Sequence, residues 1–406
     1  MKNGKILIIC TLCLLWFGNC VKPYTPVTTT TNYNYLVVEG LINLTDSTFI
    51  KLSRTVTVSS ASAVKPELKA VITIETNTGA SYALKETGNG NYFAPILNLS
   101  ASGQYRLRIK TASGGTYLSD LTQAMPSPPI DTLTWQAGDN LQIFLSTHDP
   151  KNATWYYRWN FNEEWEFNSN YYSSYTTDGL NIIPRSPAQQ IYHCYSGDTS
   201  NLIGLGTSAK LSQDVISNQL ITTVNSSAEK LGIKYSIKVN QYALTKDAYD
   251  YWTLLKTNTQ NLGNIFDAQP SASIGNIHNV NNALEVVIGY VSAGTITSKR
   301  IFVSKAQMPG NWTTIPAYSK NQCPADTVPF ALLAPCKCSN PDTIAYPQYQ
   351  FIDYLRPQYQ GPSTKLIPIS MLGLATTNSH PTYTAAAPIC VDCTLRGSTN
   401  KPSYWQ

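Results

Sequence analysis

Between Ile233 and Val303 the spacing of apolar positions changes twice. Ile233, Tyr235, Ile237 and Val239 alternate with polar residues, the period-two signature of a half-buried strand. From Thr245 the period lengthens. Ala248, Trp252, Leu255, Thr259 and Leu262 recur at helical spacing and predict an amphipathic helix over 246–262. Thr245 is placed to cap it, Asp247 lies at the positive end of its dipole, and Leu244 can staple onto Tyr249. Gly263 stands where a C′ glycine belongs. Glu285 to Val291 and Arg300 to Val303 return to a strand pattern. A lone amphipathic helix in a chain that otherwise alternates must pack on a sheet.

The same pattern divides the rest of the chain. Leu36 to Ile42, Thr48 to Leu52, Ala70 to Glu75 and Tyr105 to Ile109 are short β-branched and aromatic runs separated by glycine-rich turns. Leu99 to Tyr105 has the layout of a tyrosine corner, so residues 35–125 read as an immunoglobulin-like β-sandwich. Met125-Pro126-Ser127-Pro128-Pro129 cannot continue a central strand and marks a boundary. A second β-sandwich, carrying the helix, is expected over 130–305. Within it Trp155, Tyr157, Trp159 and Phe161 alternate strictly, which marks a buried face more than a sugar platform. Residues 306–406 form a segment rich in Pro, Tyr and Cys with few apolar runs. The fold class is therefore mainly β.

Composition matters mostly at the N-terminus. Lys2 and Lys5, an apolar run from Ile6 to Phe17 and Gly18 before Cys20 make residues 1–20 an export signal resembling a bacterial lipobox. Cleavage before Cys20 and lipidation of its thiol and new amino group are expected, with 21–34 as an extended tether. Removing Lys2 and Lys5 lowers the formal net charge from +5 to +3, too weak and scattered for a nucleic-acid partner. Charged residues make up 13% of the chain, which suits an exported β protein with a Thr- and Tyr-rich surface.

The export signal decides how the cysteines are read. Cys194, Cys323, Cys336, Cys338, Cys390 and Cys393 include Cys-x-Cys and Cys-x-x-Cys spacings that would suggest zinc in a cytosolic chain. Outside the inner membrane thiols oxidise, so three disulfides are expected, with no metal and no cofactor. Whichever partner Cys194 takes must pin the C-terminal segment to the second β unit. Tyr171, Tyr172, Tyr175, Tyr192 and Tyr195 lie in a polar, loop-like stretch and are binding candidates for a glycan or peptide.

Catalytic patterns are sparse. His148, His193, His278 and His380 are dispersed, and no Gly-x-Ser-x-Gly elbow, Walker loop or Gly-x-Gly-x-x-Gly occurs. Ser227 and Lys230 fit Ser-x-x-Lys without its companion motifs and read as a solvated turn. Glu163, Glu164 and Glu166 contain the carboxylates a glycosidase needs, but beside Trp165 and Phe167 they read as the wet face of a strand.

Several stretches taken together carry a resemblance. Leu36-Val37-Val38-Glu39-Gly40 with Lys51-Leu52-Ser53-Arg54 is one, and Tyr156-Tyr157-Arg158-Trp159 another. Gln241-Tyr242-Ala243-Leu244, Leu262 to Pro270, Gly275-Asn276-Ile277 and Cys390 to Gly397 with Trp405 complete it. In this order they resemble a Bacteroidota lipoprotein family described only as a domain of unknown function, commonly encoded beside TonB-dependent receptors. The resemblance implies a lipid-anchored protein on the periplasmic or cell-surface face of the outer membrane. It implies an accessory, by binding or scaffolding, of a TonB-dependent β-barrel receptor or nutrient-uptake system, and it brings no catalytic residues. The alternatives are a carbohydrate-active enzyme using Glu163 to Glu166, or a surface adhesin using the Tyr-rich loop.

Overall fold

The computed structural model describes residues 34–56, 64–177, 182–260, 275–319, 321–329, 366–374 and 381–405. The signal and Cys20, the stretch Leu262 to Pro270, Cys336, Cys338 and His380 lie outside them. The chain is mainly β, as its alternation requires.

The first sheet closes on itself. Strand β1 (Leu36–Asn43) pairs antiparallel with β2 (Thr48–Arg54), and β2 pairs with Asn91–Ala94. The pairing continues through Ser81–Gly88 and Val71–Thr76 to Gln104–Lys110, then to Thr122–Met125. Ser292–Gly294 runs parallel to Thr122–Met125 on one side and to β1 on the other, closing a ring of eight strands. Alternate residues of these strands point inward, so Val38, Ile50, Ile72, Ile74, Leu107 and Ile109 form one core. The Tyr105 hydroxyl donates to the Ser100 carbonyl at 2.8 Å, the hydrogen bond expected of a tyrosine corner.

This corrects the reading of 35–125 as a self-contained sandwich and of 130–305 as continuous. Residues 277–294 return to the first unit, adding Ile277, Val287, Val291 and Ala293 to its core. Asn276 clamps the return: its side chain accepts from the Val291 amide and donates to the Val291 carbonyl, both at 2.9 Å. At Gly289, with φ of +134°, a Cβ would sit 2.1 Å from the Val38 carbonyl oxygen, so no side chain fits the crossing over β1.

The second unit has two sheets sharing one core. β3 (Tyr156–Asn168), β4 (Lys234–Leu244) and β5 (Ile296–Ser304) run antiparallel in one, flanked by His193–Thr199. Ile130–Ala137, Leu141–His148 and Val215–Val224 make the other. Tyr157, Trp159 and Phe161 lie in the core between them, so the aromatic stripe is a packing face. The proline-rich boundary is docked. Ser127 and Pro128 are buried, and the fully buried Gln241 donates to the Pro128 carbonyl at 2.9 Å while accepting from Trp159 Nε1 at 2.9 Å.

Helix α1 (Lys246–Gln260) follows β4 directly. Thr245 caps it, accepting from the Ala248 amide at 3.3 Å, and Tyr249 packs on Tyr156. Its buried residues are Ala248 and Tyr251, whereas Trp252 is half-buried and Thr259 exposed. The buried face is thus rotated by one residue from the spacing of the apolar side chains, because tyrosine carries apolar area that the pattern left out.

The C-terminal segment is held by cross-links. Cys194–Cys393 and Cys323–Cys390 are disulfides, the first joining the second unit to the chain end across 199 residues. Asp326–Pro329, Pro381–Ala386 and Ile367–Leu374 form a small three-stranded sheet beside them.

Candidate functional site

A cleft of about 510 Å³ opens where α1 and the face of β3 and β4 meet the outside of the closed sheet. Such a volume suits a small organic ligand. β1 supplies Val37 to Leu41, Phe49 comes from β2, and α1 lends Tyr251, Trp252 and Leu255. The pairing of β3 with β4 sets Arg158 opposite Tyr242 and Trp159 opposite Gln241. Because successive strand residues face opposite ways, the register sends Trp159 and Gln241 into the core and Arg158 and Tyr242 into the cleft.

Arg158 is the most unusual group there. Its guanidinium carbon lies 4.1 Å from the centre of the Tyr242 ring and 4.2 Å from that of Trp252. Its Nε is buried with no hydrogen-bond partner, and among the described residues no carboxylate pairs with it. Burial pulls the guanidinium below its ordinary pKa, opposed by the neighbouring Tyr242 hydroxyl, but it stays protonated. Two cation–π contacts at about 0.5–2 kcal/mol each fall short of the several kcal/mol that desolvating an unpaired ion costs. Among the described residues only the Tyr242 hydroxyl adds to these contacts, and no carboxylate offsets the remainder.

The remaining walls are aromatic and apolar. Tyr251 packs against Tyr290 with ring centres 5.4 Å apart, and burial, then the Glu39 charge, pushes its hydroxyl pKa up. Glu39 is the one acid lining the cleft among the described residues; it is mostly exposed and lies 4.0 Å from Lys51 Nζ. This arrangement can hold a ligand by stacking and by one cationic contact. Among the described residues the lining contains no pair of carboxylates and no histidine.

The sequence-based candidates lie elsewhere. Glu163 is almost fully buried, accepting from Lys230 Nζ at 2.6 Å and from the Tyr235 hydroxyl at 2.5 Å. Glu164 accepts from Arg300 and from the Tyr404 hydroxyl, and Glu166 from the Trp405 indole. Neither the wet strand face nor the solvated turn at Lys230 therefore holds, since each acid finds a partner from another part of the chain. Of the tyrosines, Tyr171 donates to the Cys323 carbonyl at 2.7 Å, Tyr175 packs on Tyr383, and Tyr195 packs on Trp405. Tyr192 packs against Tyr172, whose ring stays more than half exposed at 53%. Most of the Tyr-rich stretch seats the C-terminal segment. A second cavity of about 370 Å³ lies between Phe167–Tyr171 and Thr314, with Ser169 Oγ buried and unpartnered beside it; it is polar enough for water.

Fold and site together define a mainly β chain with a stacked-arginine cleft between a closed sheet and a second β unit. The chain belongs to the family described as Domain of unknown function (DUF4249), whose model matches residues 21–300. The match takes in the closed sheet, the cleft and most of the second unit, ending within β5, and it excludes the C-terminal segment that Cys393 ties to Cys194. No curated protein matches the sequence. Among solved structures, the adhesin InvE of Yersinia pseudotuberculosis is 12% identical over 51% of this chain and 54% of its own, with a TM-score of 0.16. Chitinase ChiA74 from Bacillus thuringiensis is 13% identical over 49% of this chain and 30% of its own, with a TM-score of 0.15. The chain thus spans about half of the first and under a third of the second, and likenesses at such scores carry no argument here.

Proposed function

We infer that this chain is a non-enzymatic binding protein, lipid-anchored at Cys20 in the outer membrane, that serves a TonB-dependent β-barrel receptor as its accessory. The observation that carries the binding half is the cleft. It gathers aromatic walls around a guanidinium that no carboxylate among the described residues pairs, while Glu163, Glu164 and Glu166 are each engaged by other side chains. A glycosidase needs two free carboxylates at a set separation across one pocket. The anchor and the receptor rest on the sequence: the charged and apolar run ending at Cys20, and the family resemblance. Three of the stretches that carry that resemblance, Leu36 to Gly40, Tyr156 to Trp159 and Gln241 to Leu244, contribute residues to the cleft.

Incubation with cell-wall and plant glycans separates binding from turnover. The glycans are expected back unchanged. A hydrolysis product that disappears in Glu164→Gln would overturn the reading in favour of a carbohydrate-active enzyme.

A further inference from the structure

We propose that the cleft is a carboxylate-binding site, in which Arg158 receives the carboxylate of a ligand whose apolar or aromatic body lies along Tyr251, Leu255 and Tyr290. The assignment deepens the binding-protein reading and rests on it. Tyr242 and Trp252 hold the guanidinium between their rings, and a clamped planar fork matches the two oxygens of a carboxylate. Its Nε has no hydrogen-bond partner among the described residues, and the residue lines the cleft, so donor capacity is left for an acceptor there.

Charge count favours a carboxylate over a phosphate. Among the described residues Arg158 is the one cation lining the cleft, and Glu39 at the rim adds a negative charge that Lys51 only partly offsets at 4.0 Å. A doubly charged group would meet one guanidinium and a nearby acid. A single charge is balanced by Arg158 alone. The rest of the lining, from Val37, Phe49 and Leu255 to the tyrosine rings, offers apolar contact, which excludes a bare inorganic anion as the preferred ligand.

A free aromatic acid and the C-terminus of a peptide present the same chemistry, so two probes are compared. Calorimetry on the detergent-solubilised full chain would use 3-phenylpropionate and the tripeptide Gly-Gly-Phe, each against its carboxamide. At least one acid should bind about tenfold or more tighter than its amide, the worth of a charge-assisted pair of hydrogen bonds. Preference for 3-phenylpropionate identifies a free acid, and preference for Gly-Gly-Phe identifies a peptide terminus. Arg158→Gln should abolish the preference and Arg158→Lys should reduce it. If Arg158→Gln does not fold, Trp252→Leu, which removes one ring of the clamp from a half-buried position, should cut the preference instead. Equal binding of acid and amide by the wild type overturns the proposal, as does a preference that survives Arg158→Gln or, in its place, Trp252→Leu. Either result leaves the receptor partnership standing, because that is read separately from what co-purifies with the chain.

Discussion

Replacing Gln241 by methionine keeps the length of a fully buried side chain and removes both of its polar atoms. Gln241 Oε1 accepts from Trp159 Nε1 at 2.9 Å, and Nε2 donates to the Pro128 carbonyl at 2.9 Å and to Thr147 Oγ1 at 3.1 Å. These three partners, with a longer contact from Nε2 to Ser127 Oγ at 3.4 Å beside them, do not suffer equally. Pro128 keeps a hydrogen bond from Thr297 Oγ1 at 2.8 Å, and Thr147 keeps its own bond to the Pro129 carbonyl at 2.8 Å. Trp159 Nε1, buried in the core, is left with no acceptor. An orphaned buried donor costs about 1–3 kcal/mol, and the net loss of the other bonds adds about 1 kcal/mol, so Gln241→Met should destabilise by about 2–4 kcal/mol. Equilibrium urea unfolding followed by tryptophan fluorescence measures it. In a Trp159→Phe background the orphan never forms, so the same change should cost about 1–2 kcal/mol less. A Gln241→Met cost below about 0.5 kcal/mol, or strict additivity of the two changes, would refute the node as the link between the proline boundary and the second unit.

Tyr251→Ala should destabilise by about 3–5 kcal/mol and Trp252→Ala by clearly less, since both line the cleft but the first is buried and the second only half-buried; thermal melts that rank them the other way would reassign the faces of α1. Cys194→Ala opens a cross-link spanning 199 residues and should cost about 5 kcal/mol on the chain-entropy model, and non-reducing intact-mass analysis should find Cys194, Cys323, Cys390 and Cys393 closed to alkylation. The hydrogen bond from Arg108, joined by Arg106 and opposed by burial, holds the Glu75 carboxyl below its ordinary value of 4.5. Its contribution is therefore fully present above about pH 4.5 and is lost as pH falls through the lower folded value, so Glu75→Gln should flatten the acid limb of stability against pH. An unchanged acid limb would remove Glu75 from the acid response.

Local periodicity carried much of the fold and little of the site. The strands of the first unit, the helix after Thr245 and the tyrosine corner at Tyr105 each depend on neighbours within a few residues, and each was legible. The closing strand was not. Ser292-Ala293-Gly294 has no period of its own and becomes a strand only because β1 and Thr122–Met125 leave a gap that small residues fit. Near Gly294 a Cβ would lie 2.4 Å from the Met125 carbonyl oxygen, a constraint set by a residue far back in the chain. The same reason hid the cleft. Arg158 looked like one polar position in an alternating strand, and only pairing with a strand some eighty residues later sets it beside Tyr242. An arginine set among Tyr156, Tyr157 and Trp159 was the one local signal available. Cys194, Cys323, Cys390 and Cys393 form cross-links, as the even count of cysteines beyond Cys20 suggested.

Co-purification tests the receptor partnership most directly. Tagged full-length chain would be extracted from membranes in mild detergent beside Cys20→Ala and an unrelated lipoprotein. A diacyl anchor holds by about 0.8 kcal/mol per buried methylene, so the wild type should fractionate with the outer membrane and Cys20→Ala should be released or mislocalised. The wild-type extract should enrich an outer-membrane β-barrel receptor well above the unrelated lipoprotein. A chain that brings down no more β-barrel than that control is not the accessory described here.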